Sequence, residues 1–464
     1  MIARLGAGLL CVVATVSAWQ PVRRDVSLIV TGGTVVTMDG EARVLTRGAV
    51  VVDGPDIVAV DGSEAVAARY DARERIDAGG HIVLPGLINT HTHAPMVLYR
   101  GLADDLALME WLEKYIFPAE AKTVSPEFVR AGTRLAALEM IQSGTTTYAD
   151  MYYFEEEIAR ATREAGLRGV LGQTIIQFPA PDAKTPSEGI ARAARFLQQW
   201  ASDDLIVPAI APHAMYTLDG ATLKAIRSVA DRERAPVIIH LAETRDEVAI
   251  ALERHKATPV QYLESLGFWG PRTIAAHGVH LTAADIRLLA RRRVGIAHNP
   301  ESNMKLASGA APVLELQRAA VPVGLGTDGA ASNNDLDMFE AMRQAAFLQK
   351  HVTGDPRALP ARRALQMATI DGARVLGLDR QLGSLEVGKR ADLLVVSTSA
   401  ARQVPLYDPL SHLVYVTRGD DVRTVVVNGR VIMRDRRVST LDEAAVLDAA
   451  RSWAEKVRAA VQGQ

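Results

Sequence analysis

The chain has 464 residues, of which 48% are hydrophobic and 23% charged, and its formal net charge is −2. The composition is typical of a globular protein. A charge so close to zero excludes a basic field for holding nucleic acid or an anionic membrane surface, so neither is expected as a partner.

Residues 1–18 have the pattern of a secretory signal peptide. Leu5–Ala18 is almost wholly apolar, follows a short positive start and ends in small residues suited to cleavage. The run is shorter than the roughly 20 residues of a membrane span. The alternative is a start codon placed too early, so we expect an exported or periplasmic protein if the signal is genuine and a cytoplasmic one otherwise. The only cysteine, Cys11, lies here, and the mature chain would have no thiolate metal ligand.

Short β-like runs at the two ends of the chain predict one small β-sandwich domain. They occupy residues 26–84 and 385–440, and Asn428-Gly429 is a hairpin signal in the second set. Residues 441–464 have the pattern of a closing amphipathic helix.

The middle of the chain, residues 85–384, alternates buried strands with amphipathic helices. Runs that are apolar on both faces and alternate with helices indicate parallel strands, and eight such units favour a (β/α)8 TIM barrel. The alternative, a doubly wound open sheet, lacks a glycine-rich phosphate loop. The predicted strands are Ile82–His91, Thr146–Asp150, Gly169–Thr174, Ile206–His213, Pro236–Leu241, Thr273–His277, Val294–His298 and Pro322–Asp328.

Polar residues follow most of these strands at their carboxyl ends, where a TIM barrel builds its active site. We therefore expect them to converge on one point. The residues are His91, His93, Asp150, His213, His240, His277, His298 and Asp328.

A metal site is predicted from four of them. His91 and His93 are two residues apart at a strand end, so both rings project to the same side. With His240 and Asp328 they form a set of three histidines and one carboxylate that leaves a position open for water. We expect one divalent ion, zinc in the first place, although Fe2+ and Mn2+ accept the same ligands. The alternatives are unrelated histidines and a helix-capping Asp328.

Two further residues suit the chemistry of a hydrolase. Glu243 lies three residues past His240 and can carry a proton from water to a leaving group, although it also fits a helix start. His277 ends the sixth strand and can polarise the attacking water. Metal-bound water has a pKa of about 7, so Glu243 and His277 are predicted to act together with a hydroxide that is available at neutral pH.

The motifs around these residues resemble the amidohydrolase superfamily, in particular its branch of 5'-methylthioadenosine/S-adenosylhomocysteine deaminases, which is related to triazine hydrolases. The resemblance runs from about residue 26 to the end. It implies the same four ligands, Glu243 as the proton shuttle, His277 as the residue that orients or polarises the attacking water, Asp328 as the acceptor of a proton from that water, and a homo-oligomer. The matching stretches are residues 85–93, 239–244, 275–280, 298–303, 326–334 and 383–393.

The same resemblance implies four substrate contacts. Trp111 would pack on the 5' side of a nucleoside, Glu120 would bind the ribose hydroxyls, and His213 and Ser332 would meet the substrate. The alternatives are a core tryptophan and a surface glutamate. One departure is that residues 171–179 carry no arginine, whereas family members that hold a homocysteine carboxylate have arginines there; Arg168 would sit at the wrong end of the strand.

The predicted function is hydrolytic deamination of an adenosine-like nucleoside: 5'-methylthioadenosine, adenosine or S-adenosylhomocysteine. One alternative uses the same site for deamination or hydrolytic dehalogenation of a free base or a triazine ring, such as guanine, cytosine or melamine. The alternative of another class is a barrel that serves as a non-catalytic scaffold.

Overall fold

The computed structural model of the protein describes residues 23–41 and 43–461. The predicted signal peptide over residues 1–18 lies outside the described residues. Within them, no helix combines the length and the apolar composition needed to cross a membrane.

Eight parallel strands of the described chain form a nearly closed barrel, as the sequence predicts. The last strand lies beside the first, because the Thr90 hydroxyl donates to the Leu325 carbonyl at 2.8 Å and Asp328 N donates to the His91 carbonyl at 3.0 Å. In chain order the barrel strands are Leu87–Thr92, Thr145–Tyr152, Arg168–Ile175, Ile206–Pro212, Val237–Leu241, Thr273–His277, Gly295–His298 and Val323–Leu325.

The predicted first strand, Ile82–His91, is in fact two strands separated at Gly86. Ile82–Pro85 pairs with strands of the small domain, and Leu87–Thr92 opens the barrel. A Cβ atom at Gly86 would overlap the Thr146 hydroxyl, so the chain passes between the two sheets at a point where only glycine fits.

The small domain is one mostly antiparallel sheet made from both ends of the described chain. Side chains from both ends share one core, in which Val30, Val50 and Val83 pack with Leu393 and Val426. Its strands are Arg24–Val36, Val44–Asp53, Asp56–Gly62, Tyr70–Asp77, Ile82–Pro85, Leu393–Val396, Val422–Val427, Arg430–Arg434 and Arg437–Val438.

Helices surround the barrel and begin and end at residues suited to those positions. Pro126–Ser143 starts after Ser125, whose side chain accepts from Phe128 N, and stops at Gly144 with a φ of 92°. The helices are Ser63–Arg69, Leu108–Trp111, Phe117–Thr123, Pro126–Ser143, Glu155–Ala165, Pro186–Trp200, Gly220–Glu233, Arg245–His255, Pro259–Ser265, Ala283–Arg292, Pro300–Lys305, Val313–Arg318, Met338–Thr353, Ala361–Met367, Ile370–Leu376, Pro409–Tyr415 and Glu443–Val461.

The C-terminal helix, Glu443–Val461, packs against the barrel. The Trp453 ring meets the Phe128 ring edge to face, with their centroids 5.3 Å apart. The exact domain limits inferred from the sequence stay predictions.

Candidate active site

Three histidines and one aspartate meet at the carboxyl end of the barrel. The ligand atoms of His91, His93 and His240 lie within 4.8 Å of one another. Asp328 Oδ1 lies 3.4 Å from Nε2 of His91 and 3.3 Å from Nε2 of His93. All four candidate ligands thus surround a single point.

Backbone carbonyls orient two of the rings. His93 Nδ1 lies 2.6 Å from the Met151 carbonyl oxygen, and His240 Nδ1 lies 2.8 Å from that of His213. Because a carbonyl only accepts, both Nδ1 atoms carry the proton, and each Nε2 presents a lone pair to the cluster.

His91 adds a third donor atom. Its Nε2 is buried and has no hydrogen-bond partner among the described residues. Burial lowers the pKa of His91 to about 4 and the pKa of His240 well below its ordinary value, so both rings are neutral at pH 7. Three imidazoles and one carboxylate suit zinc, so the residues fit the metal that the sequence predicts.

Asp328 lies past the end of its strand, in the left-handed region with a φ of 64°. Its Oδ2 atom accepts from the Ser302 hydroxyl at 2.7 Å and from the Ser332 hydroxyl at 3.0 Å. Burial opposes ionisation of Asp328, but its contacts with the neighbouring histidines hold its pKa well below the ordinary value. The serines therefore occupy one carboxylate oxygen, and the other faces the histidines.

Glu243 is held in a turn just before the helix Arg245–His255. The carboxylate of Glu247 accepts from the backbone N of Ala242 and from that of Glu243, at 2.9 Å each. Burial raises the pKa of Glu243 above its ordinary value, which suits a group that takes up and releases a proton.

His277 lies opposite Glu243, with Nε2 3.7 Å from Glu243 Oε2. Its Nδ1 lies 2.9 Å from the amide oxygen of Asn303. Burial alone would lower the pKa of His277, but the carboxylates of Glu243 and Asp328 and the contact with Asn303 outweigh it and raise the pKa. The ring is thus disposed to donate from Nε2.

A cavity opens beside these residues at the carboxyl end of the barrel. Among the described residues, no lysine or arginine lines it. Trp111, Glu120, His213 and Ser332 all line it, together with Glu243, His277 and Asp328.

Glu120 is buried in the wall of the cavity, on the helix Phe117–Thr123. Its Oε1 accepts from the Tyr152 hydroxyl at 2.6 Å. Burial raises the pKa of Glu120 to about 7. A π-helical turn, Leu112–Ile116, separates it from Trp111, and such turns occur frequently at functional sites.

Other polar residues singled out from the sequence lie outside the cavity. Arg168 is at the opposite end of the barrel, where it contacts Asp392 at 3.3 Å. His298 is fully buried, with both ring nitrogens lacking a partner among the described residues. His280 Nε2 lies 2.8 Å from the Ser308 carbonyl. No role was predicted from the sequence for Ser302, Asn303 or Glu247, although the first two lie within the motif at residues 298–303.

The chain is similar to deaminases along almost its whole length. It is 47% identical over 431 residues to a 5-methylthioadenosine/S-adenosylhomocysteine deaminase of Syntrophobacter fumaroxidans, covering 93% of this chain and 98% of that protein. It is 44% identical over 432 residues to a 5'-deoxyadenosine deaminase of Methanosarcina acetivorans, with coverage of 93% and 98%.

Comparison of structures gives the same result. A zinc-bound adenosine deaminase from Xanthomonas campestris superposes with a TM-score of 0.93 at 42% identity, covering 94% of this chain and 100% of that one. Residues 82–432 match the amidohydrolase family. The chain therefore belongs to the amidohydrolase family.

Proposed function

We propose that the protein hydrolytically deaminates adenosine-like nucleosides whose 5' group is uncharged, with one divalent metal, zinc in the first place, held by His91, His93, His240 and Asp328. The observation that carries the proposal is that one cavity contains the ligand cluster, the Glu243–His277 pair and a buried carboxylate at Glu120. The deaminase relatives support the reaction and the substrate class.

A metal ion held there would supply a Lewis acid that lowers the pKa of water to about 7, so that hydroxide would be available at neutral pH. Glu243 carries a proton from the water toward the purine ring, because its pKa is raised by burial. His277 donates from Nε2 to stabilise negative charge on the attacking oxygen. Oxygen from water replaces the exocyclic amine, which leaves as ammonia.

Glu120 and Trp111 are proposed to bind the nucleoside outside the purine ring. A buried carboxylate is an acceptor for two neighbouring hydroxyls, which matches the ribose diol. The aromatic face of Trp111 suits an apolar 5' group. Since no lysine or arginine lines the described cavity, a homocysteine carboxylate has no cationic partner there.

Ammonia release from purified protein with one equivalent of zinc tests the proposal. The substrates are 5'-methylthioadenosine, 5'-deoxyadenosine, adenosine, S-adenosylhomocysteine, guanine, cytosine and melamine. We expect turnover of the first three and its loss in Glu243→Gln. Glu301→Gln is the matched control, because Glu301 is buried with a raised pKa but does not line the cavity.

Two outcomes would contradict the proposal. Turnover of a free base or triazine without turnover of nucleosides would refute the role of Glu120 and Trp111. Zinc binding without any ammonia release would favour the scaffold alternative.

A further inference from the structure

Asp150 is a fully buried carboxylate at the carboxyl end of the second barrel strand, and the proposed reaction does not use it. We propose that Asp150 is a positioning residue for the metal site, because one of its oxygens holds the chain on both sides of His93. The inference rests on the proposed function only in taking His91 and His93 as metal ligands.

The hydrogen bonds of Asp150 bracket a ligand. Asp150 Oδ1 accepts from Ala94 N at 2.5 Å and lies 2.7 Å from the Thr92 hydroxyl, which also lies 2.9 Å from the Ala149 carbonyl. The next residue, Met151, accepts from His93 Nδ1. Two consecutive residues thus hold the ring of His93, the residue before it and the residue after it.

The backbone hydrogen bonds between the first and second barrel strands do not by themselves hold the chain around His93. Asn89 lies opposite Tyr148 and Thr92 opposite Asp150, so three steps along the first strand face two along the second. Such a bulge leaves the backbone there without pairing to the second strand, and His91 lies within it. The bulge sets the positions of the ligands His91 and His93. The side chain of Asp150 then holds the part of the backbone that is not paired to the second strand.

The backbone that follows His93 also requires a hydrogen-bond acceptor from outside its own segment. A 3-10 helix, Ala94–Tyr99, begins directly after His93, whose side chain does not cap it. The first N–H groups of a helix have no partner within it. Asp150 Oδ1 supplies the acceptor for the first of them, and thereby ties the start of this helix to the second strand.

Because the two carboxylate oxygens of Asp150 have different surroundings, the effect of its hydrogen bonds can be tested separately from the effect of its charge. Both contacts use Oδ1, whereas Oδ2 is buried without a partner among the described residues. An asparagine that keeps an oxygen at the Oδ1 position retains both contacts. An alanine loses both, and Thr92→Val removes one of them.

The experiment measures zinc affinity of the full-length chain by competition with a chromogenic chelator, without any nucleoside. We expect Asp150→Ala to raise the zinc dissociation constant by about 10- to 100-fold, as loss of a group that orients a ligand does. Thr92→Val is expected to raise it by about 2- to 10-fold, the equivalent of one hydrogen bond. Asp150→Asn is expected to stay within about threefold of wild type.

Thermal unfolding of each metal-free variant separates positioning from folding. A purely structural role would lower the unfolding temperature of metal-free Thr92→Val and leave its zinc affinity unchanged, and this result would overturn the inference. Wild-type affinity in Asp150→Ala, or equal losses in Asp150→Ala and Asp150→Asn, would overturn it too. If Asp150→Ala does not fold, the other two variants decide the question. Weaker zinc binding in Thr92→Val than in Asp150→Asn and wild type supports the inference, and equal affinities overturn it.

The inference and the proposed function fail separately. A wild-type protein that binds one zinc ion but releases no ammonia from any nucleoside refutes the function, while the ranking of zinc affinities still tests Asp150.

Discussion

Glu120→Gln is expected to weaken catalysis and, above neutral pH, to stabilise the fold. The substitution preserves the shape of the side chain and one oxygen that can accept from the Tyr152 hydroxyl. It removes the charge and one of the two acceptor oxygens. Both expectations follow from a single property, which is that the carboxyl is buried with no cation among its hydrogen-bond partners in the described chain.

The size of the expected loss in kcat/KM is the contribution of the proposed hydrogen bonds between Glu120 and the ribose hydroxyls. A hydrogen bond to a charged group contributes about 1.5–3 kcal/mol, which corresponds to a roughly 10- to 150-fold lower kcat/KM for 5'-methylthioadenosine. In the wild type, kcat/KM should also fall as the pH drops through about 7, because protonated Glu120 is a poor acceptor. Glu120→Gln should lose the contribution of Glu120 to that limb and keep the contribution of metal-bound water, whose pKa is also about 7, so the fall in kcat/KM below pH 7 should become shallower.

The gain in stability has the opposite dependence on pH. Burial raises the pKa of Glu120 from 4.5 to about 7, so between these values the folded state keeps a proton that the unfolded state has lost. The free energy of unfolding therefore decreases as the pH rises across that window. Above pH 7 the glutamine avoids this cost, which is at most about 3 kcal/mol, and near pH 4 the two proteins should differ little.

The assay combines ammonia release with thermal unfolding at pH 5 and pH 8, and 2',3'-dideoxyadenosine serves as the matched substrate. Glu120→Gln should lose little further activity on this substrate, since its ribose lacks the hydroxyls that the carboxylate binds. An equal loss on adenosine and on the dideoxynucleoside would refute the assignment of Glu120 to the ribose. A lower unfolding temperature at pH 8 would refute the account of its buried charge.

Three further predictions concern the metal and the 5' side of the substrate. Ser302→Ala should lower activity by about 10- to 100-fold because it removes the 2.7 Å hydrogen bond to Asp328, whereas Ser308→Ala should be neutral because the buried Ser308 hydroxyl has no partner among the described residues. Removal of zinc with a chelator should lower the unfolding temperature, since a ligand at about 1,000 times its dissociation constant stabilises by about 4 kcal/mol, and calorimetry of His91→Ala should show no such difference. Thr174→Arg places a cation in the cavity wall. It should raise kcat/KM for S-adenosylhomocysteine relative to 5'-methylthioadenosine by about 10-fold or more. An equal gain in Thr174→Met would contradict the electrostatic explanation.

The barrel could be predicted because buried parallel strands are apolar on both faces and helices carry their own start signals. The helix Ala283–Arg292 is an example, because Thr282 and Asp285 form a capping box at its start. The convergence of His91, His93, His240 and Asp328 followed from one rule, that strand ends in a barrel meet.

Strand limits were less predictable where pairing partners decide them. The apolar run from Ile82 to Ile88 is interrupted only by Pro85-Gly86, a pair typical of turns, and the chain leaves one sheet for the other at this pair. The prediction extended one strand through the pair because the residues on both sides of it are apolar. The eighth strand was predicted to reach Asp328, but it stops at Leu325. Asp328 instead adopts a left-handed conformation, which periodicity does not reveal.

The groups that hold the ligands could not be predicted from residue types, because two of them are backbone carbonyls. Those of Met151 and His213 orient His93 and His240, and any side chain at either position would leave a carbonyl there. This separates two roles at His213, whose ring lines the cavity while its carbonyl serves a ligand. His213→Ala should therefore alter substrate binding and leave zinc affinity unchanged, whereas Asp150→Ala should do the reverse.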